Sequence, residues 1–90
     1  MKITDVRIRK VDGQNRLRAV ASITIEDCFV VHDIKVLEGN QGYFISMPSR
    51  KTMDGEYKDI VHPLNTETRE EIRAAILAEF EKKQKEEENN

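Results

Sequence analysis

Tryptophan is absent from this chain, cysteine occurs once, proline twice and glycine four times, and the aromatic residues are three phenylalanines and two tyrosines. Each scarcity excludes something. The lone thiol, Cys28, can close no internal disulfide and has no second sulfur to share a metal, so it reads as a small residue in a strand or turn. There is no glycine-rich phosphate loop, no serine or cysteine nucleophile with a credible base, and no carboxylate pair set apart from competing charges. The two histidines, His32 beside Asp33 and His62 before Pro63, lack HxxH spacing or a nearby thiol and are assigned structural roles. The sequence therefore calls for no enzyme activity, no cofactor, no metal and no small-molecule substrate. No run approaches the roughly 18 apolar residues of a membrane span, and the first ten residues alternate charged with apolar side chains instead of forming a signal core. A cytoplasmic location without membrane attachment is the expectation.

What the chain does have is charge. Of its 90 residues, 38% are apolar and 36% charged, against roughly 25% charged in ordinary soluble domains. So short a chain forms one domain that buries only about 60% of its extended surface, which makes association a natural remedy. The net charge of −2 argues against nonspecific affinity for polyanions, but the distribution is uneven. Residues 1–18 carry six cations (Lys2, Arg7, Arg9, Lys10, Arg16, Arg18) against Asp5 and Asp12, whereas residues 59–80 set Arg69 and Arg73 against five acids. A basic amino-terminal half and an acidic carboxy-terminal half are predicted.

Period-2 patterning dominates the first 63 residues. Val6 and Ile8 fall on one face of a strand and Asp5, Arg7 and Arg9 on the other. Asp12-Gly13-Gln14-Asn15 supplies turn chemistry, and Leu17, Ala19, Ala21, Ile23 and Ile25 then alternate with polar residues except at Val20. A symmetric hairpin would set Arg7 and Arg9 across from Arg16 and Arg18 as one basic patch. After a turn at Glu26-Asp27, Phe29–Leu37 reads as a central strand. Glu38–Gly42 is a second turn, leading to the strand that ends in Ser46-Met47-Pro48, and Tyr57–Pro63 follows a Ser49–Glu56 loop with Asp54-Gly55 as its turn. From Leu64 the period becomes 3.6, with Ile72, Ala75, Ile76 and Phe80 on one face, Leu77 at its margin, and Arg69, Glu70, Arg73 and Lys83 toward water. Asn65 or Thr66 can cap this helix, and Thr68 with Glu71 has capping-box spacing. Residues 81–90 contain no apolar side chain and read as a frayed or disordered tail on a single domain of residues 1–80. The fold class is α+β: an antiparallel sheet of four to five strands, rich in hairpins, followed by one amphipathic helix. A single helix covers one sheet face, and the exposed edges and apolar surface that remain predict a homodimer.

The candidate site starts at Gly42–Lys51, where an apolar strand runs into Pro48 and then into adjacent cations, Arg50 and Lys51. Proline fixes its own φ and cannot donate to a ladder, so the pair is expected on a stiff exposed corner suited to phosphate. Arg7, Arg9, Arg16 and Arg18 would widen that track. Tyr43 and Phe44 are candidates to stack on bases, although a strand flanked by aliphatic residues usually buries at least one of them.

Four blocks occur in the order found in one family: Ile3–Arg9, Phe29–Val36, Phe44–Lys51 and Asp59–Asn65. Over about residues 1–80 the chain resembles the SpoVG proteins (stage V sporulation protein G), bacterial regulators of septation. The resemblance implies a small dimeric α+β protein that binds DNA and RNA and regulates processes including asymmetric septum formation. The competing expectation is a protein-interaction module in which the acidic helix or an open strand edge recruits a partner and nucleic acid is incidental.

Overall fold

The computed structural model describes residues 1–12 and 15–88. Strands β1 (Ile3–Lys10), β2 (Leu17–Ile25), β3 (Phe29–Gly39) and β4 (Gly42–Ser46) form an antiparallel sheet in chain order. Pro48 interrupts the chain after β4, and β5 (Ser49–Lys51) pairs with β6 (Tyr57–Asp59) as a separate two-stranded sheet. Two expectations change here. The strand expected over Tyr57–Pro63 ends at Asp59 and stays out of the four-stranded main sheet, and Ser49–Lys51 is ladder, not loop.

Helix α1 (Thr66–Glu88) starts where Asn65 Oδ1 accepts from the Thr68 amide at 2.8 Å, which assigns Asn65 as the cap. It lays Ile72, Ile76 and Phe80 on one face of the sheet, against Ile8, Ala19, Ala21, Ile23, Ile34 and Val36. The alanines of β2 are buried beneath it. Phe80 is fully buried and meets Tyr43 edge-on, with ring centroids 4.9 Å apart at 70°.

The helix does not stop at Phe80. Lys83, expected in water, is half-buried and donates from Nζ to the Ile8 carbonyl at 2.7 Å; Gln84 donates to the Tyr43 hydroxyl at 3.3 Å, and Lys10 pairs with Glu87 at 2.7 Å. Long polar side chains thus dock the charged last turns where no apolar residue remains.

The turns set the register. The expected Asp12–Asn15 turn includes Gly13 and Gln14, which lie outside the described residues, but its flank is closed by the Val11 amide donating to the Arg18 carbonyl at 3.0 Å. Between β2 and β3, the Cys28 amide reaches the Ile25 carbonyl at 3.1 Å across Glu26 (φ 55°) and Asp27 (φ 57°). Positive φ at both central positions is the type I′ geometry that matches strand twist. Neither residue is glycine, and the turn is held by the amino-terminal segment: the Glu26 amide donates to Lys2 O at 2.8 Å and the Asp27 amide to Thr4 Oγ1 at 3.0 Å.

Candidate nucleic-acid interface

The face of the main sheet opposite α1 carries the residues that alternate with the core. Across one rung Arg9 pairs with Val20, Val20 with Lys35, and Lys35 with Ser46, so two cations flank a valine about 10 Å apart at the usual strand spacing. Arg7 lies across from Ser22. The basic patch of four arginines does not form. Arg7 and Arg9 face Ser22 and Val20, while Arg18 is held by Glu38 at 2.9 Å and by the carbonyls of Asn15 and Leu17 at 2.6 and 3.1 Å. Arg16 instead lines a hollow with the β3–β4 turn and Arg73. The hairpin is offset from the symmetric register, which slides Arg16 and Arg18 past the end of β1. Arg7 itself is paired with Asp5 at 3.0 Å.

A bulge in β3 shapes this face. Between the Ala21–Ile34 and Ile23–Val31 pairs, His32 and Asp33 together oppose Ser22, and Asp33 takes φ 64°. A left-handed aspartate is uncommon and turns the strand locally. Beside it runs a cleft lined by Arg9, Val20, Asp33, Lys35, Pro48, Ser49 and Ile60, which joins the main sheet to the β5–β6 hairpin.

Within that hairpin Arg50 pairs with Lys58, Lys51 with Tyr57 and Ser49 with Asp59. Directly opposed residues share a face, and neighbours along a strand do not. Arg50 and Lys51, adjacent in sequence, therefore point to opposite faces. Arg50 shares its face with Lys58, a cation that sequence reasoning passed over. Lys51 shares the other with Tyr57; Ser49 of that face, and Pro48 and Ile60 of the Arg50–Lys58 face, border the cleft. The Asp54-Gly55 turn dictates this register and is the signal that could have found Lys58.

The turn is firmly built. The Thr52 amide donates to Glu56 O at 2.7 Å, the Gly55 amide to Thr52 O at 3.0 Å, and Gly55 adopts φ 89°, which an L side chain adopts only under strain. The Thr52 hydroxyl donates to Asp54 and holds its carboxyl below the usual value. At the other end the Ile60 amide donates to Pro48 O at 2.7 Å. Among the described residues, no carboxylate lies within 4.0 Å of the charged nitrogens of Arg9, Lys35, Arg50, Lys51 or Lys58.

Of the aromatic candidates, Tyr43 is committed to Phe80, and Phe44 stands half-open opposite Leu37. His32 and His62 are exposed, and no group of three or more metal-ligating side chains occurs among the described residues. Among the described residues, no helix is long and apolar enough to cross a membrane.

The SpoVG family model matches residues 1–82. A protein of Clostridium acetobutylicum named "putative septation protein SpoVG" is 62% identical over 88 residues, covering 98% of this chain and 93% of its own length. A Clostridium perfringens protein of the same name is 65% identical over 82 residues, 91% of each chain. A Lachnospira eligens protein, again so named, is 60% identical over 82 residues, 91% of this chain and 93% of its own. With its four-stranded antiparallel sheet and single carboxy-terminal helix, the chain belongs to the SpoVG family.

Proposed function

We propose that this protein is a cytoplasmic, non-catalytic regulator of septation that binds nucleic acid as a homodimer, gripping phosphates on both faces of the hairpin, with Arg50 and Lys58 on one and Lys51 on the other, and with Arg9 and Lys35 across the cleft that both faces border. The observation that carries the reading is the Arg50–Lys58 rung. Like charges placed directly opposite one another destabilise a strand pair, and a polyanion laid across them relieves that cost. Of the other arginines, Arg7 and Arg18 are engaged by Asp5 and Glu38, and Arg16 lies apart, so they contribute less. The relatives' names supply the link to septation.

Binding of this kind weakens with salt, because each neutralised phosphate releases counterions, with a log–log slope of about −0.9 per contact on duplex DNA. Titration of a labelled duplex and a labelled single strand at several salt concentrations tests it. Arg50→Ala combined with Lys51→Ala lowers affinity and flattens the slope by about two contacts' worth; unchanged affinity and slope remove the site. Light scattering at tens of micromolar, read with the same samples, checks the dimer, and a strict monomer refutes that part.

One observation favours the protein-interaction reading. An apolar groove lined by Ile25, Phe29, Val31, Met47, Pro63 and Ile72 opens at the far end of the sheet, with Phe29 60% exposed at its rim. A pull-down that survives high salt and nuclease, without a gel shift at micromolar DNA, decides for it.

A further inference from the structure

We infer that Tyr57 is a stacking platform for an unpaired base, so that the β5–β6 hairpin binds single-stranded nucleic acid in preference to duplex. The inference rests on the nucleic-acid reading above and names the form of ligand that the same site takes. Tyr57 is 71% exposed, and the aromatic pair found among the described residues, Tyr43 with Phe80, lies elsewhere in the core. A large ring standing in water on a three-residue strand contributes nothing to the hydrophobic core.

Its surroundings suit one kind of occupant. Lys51 is directly opposite on the same face and offers a charge to the phosphate attached to a stacked base. Ser49 lies on that face too, opposite Asp59, and borders the cleft lined by Arg9 and Lys35 as well as Asp33; among the described residues the two cations have no carboxylate within 4.0 Å and offer charge to the phosphates that follow. Ile60, 62% exposed, lines that cleft from the other face of the hairpin, two residues beyond Lys58, so Tyr57 is the ring its own face offers to a base. Stacking also needs a platform that does not move, and the hairpin is clamped at both ends, by Thr52–Glu56 at the turn and by Ile60–Pro48 at the base.

Duplex suits the site less well. Paired bases already stack on their neighbours and present no open ring face to Tyr57. A two-stranded ribbon can enter a major groove, but this one carries Asp54 and Glu56 at its tip, and these would meet the phosphates that wall the groove.

The test uses fluorescently labelled oligothymidylate and oligouridylate of about twelve nucleotides, a mixed-sequence duplex of similar length, and the full chain with Tyr57→Ala, Tyr57→Phe and Arg50→Ala/Lys58→Ala. Tyr57→Ala is expected to lose roughly 5- to 150-fold in affinity for the single strands, the range for one stacked base, and to keep duplex affinity within about twofold. Tyr57→Phe retains the ring and stays close to wild type on single strands. A DNA strand and an RNA strand that bind alike identify the base face as what is read; a tenfold preference for one assigns the sugar or the thymine methyl as a further contact, with Tyr57→Ala still costing both. Equal losses on single strands and duplex, or no loss in Tyr57→Ala while Arg50→Ala/Lys58→Ala weakens binding, overturn stacking but leave the phosphate site standing. A wild type that binds none of the three oligonucleotides overturns the nucleic-acid reading and this inference with it.

Discussion

Lys58→Glu should strengthen the hairpin while weakening its grip on nucleic acid. In the native pair Arg50 and Lys58 are opposed, and the rung alternation set by the Thr52–Glu56 and Pro48–Ile60 hydrogen bonds makes theirs a hydrogen-bonded rung, with backbones about 5.5 Å apart. Two like unit charges at roughly that separation repel by about 0.75 kcal/mol in water, reduced to about 0.4 kcal/mol by screening at physiological ionic strength. Reversing one charge turns that repulsion into attraction, a swing of about 0.8 kcal/mol, or three- to fourfold in the opening equilibrium. Thermal melting is the wrong assay, because a small peripheral sheet can open without the main core. Amide exchange at Thr52 and Ile60, whose donors close the two ends of the ladder, reads the opening directly. Protection in Lys58→Glu rises about three- to fourfold at physiological salt, Lys58→Gln gives about half that free-energy gain, and at 1 M salt the gain shrinks to roughly 1.5-fold. The same substitution lowers nucleic-acid affinity and flattens its salt slope. Protection that stays level, falls, or ignores salt would falsify the register on which both arguments depend.

The remaining predictions concern the core and the turn. Phe80→Ala removes a fully buried ring and its edge contact with Tyr43, and a urea melt should show a loss of about 3–5 kcal/mol, a large share of the roughly 5–13 kcal/mol expected for a chain this size; a loss under about 1 kcal/mol would mean that the helix is not docked there. Because the Thr52 hydroxyl holds the Asp54 carboxyl below its usual value, that group stabilises the turn above the unfolded carboxylate's pKa and loses its contribution as pH falls through the folded one. Protection of the Gly55 amide, corrected for intrinsic exchange, should therefore hold near neutrality and drop in acid, and Asp54→Asn should abolish that acid step.

Where alternation was strict, the sequence was readable. Ala19, Ala21 and Ile23 reach the core as their period demands, and Ile72, Ile76 and Phe80 do so at helical spacing. The α+β class and the order of elements follow from those two periods. Registers were less legible, since they depend on turns and bulges more than on pattern. The hairpin offset moved Arg16 and Arg18 away from Arg7 and Arg9, and the bulge at Asp33 required a left-handed residue that nothing in the composition announces. Lys58 escaped notice for a related reason: a cation gains its partner across a ladder, and that partner is fixed only once the turn is known to centre on Asp54-Gly55. Lys83 was misplaced because a charged side chain on a helix normally seeks water, whereas here a strand carbonyl lies within its reach.

That last contact has a bearing on assembly. Lys83 at the Ile8 carbonyl, with Lys10 tied to Glu87, fastens the final turns of the helix against the outer margin of β1, while among the described residues Gly42–Ser46 at the opposite margin has no strand beyond it. The two edges of the sheet therefore differ, one crossed by the helix end and the other bare. If the proposed homodimer joins reciprocally through the bare margin, it uses that margin up on both copies, and growth then halts at the pair with the helix tail as a stopper against fibres.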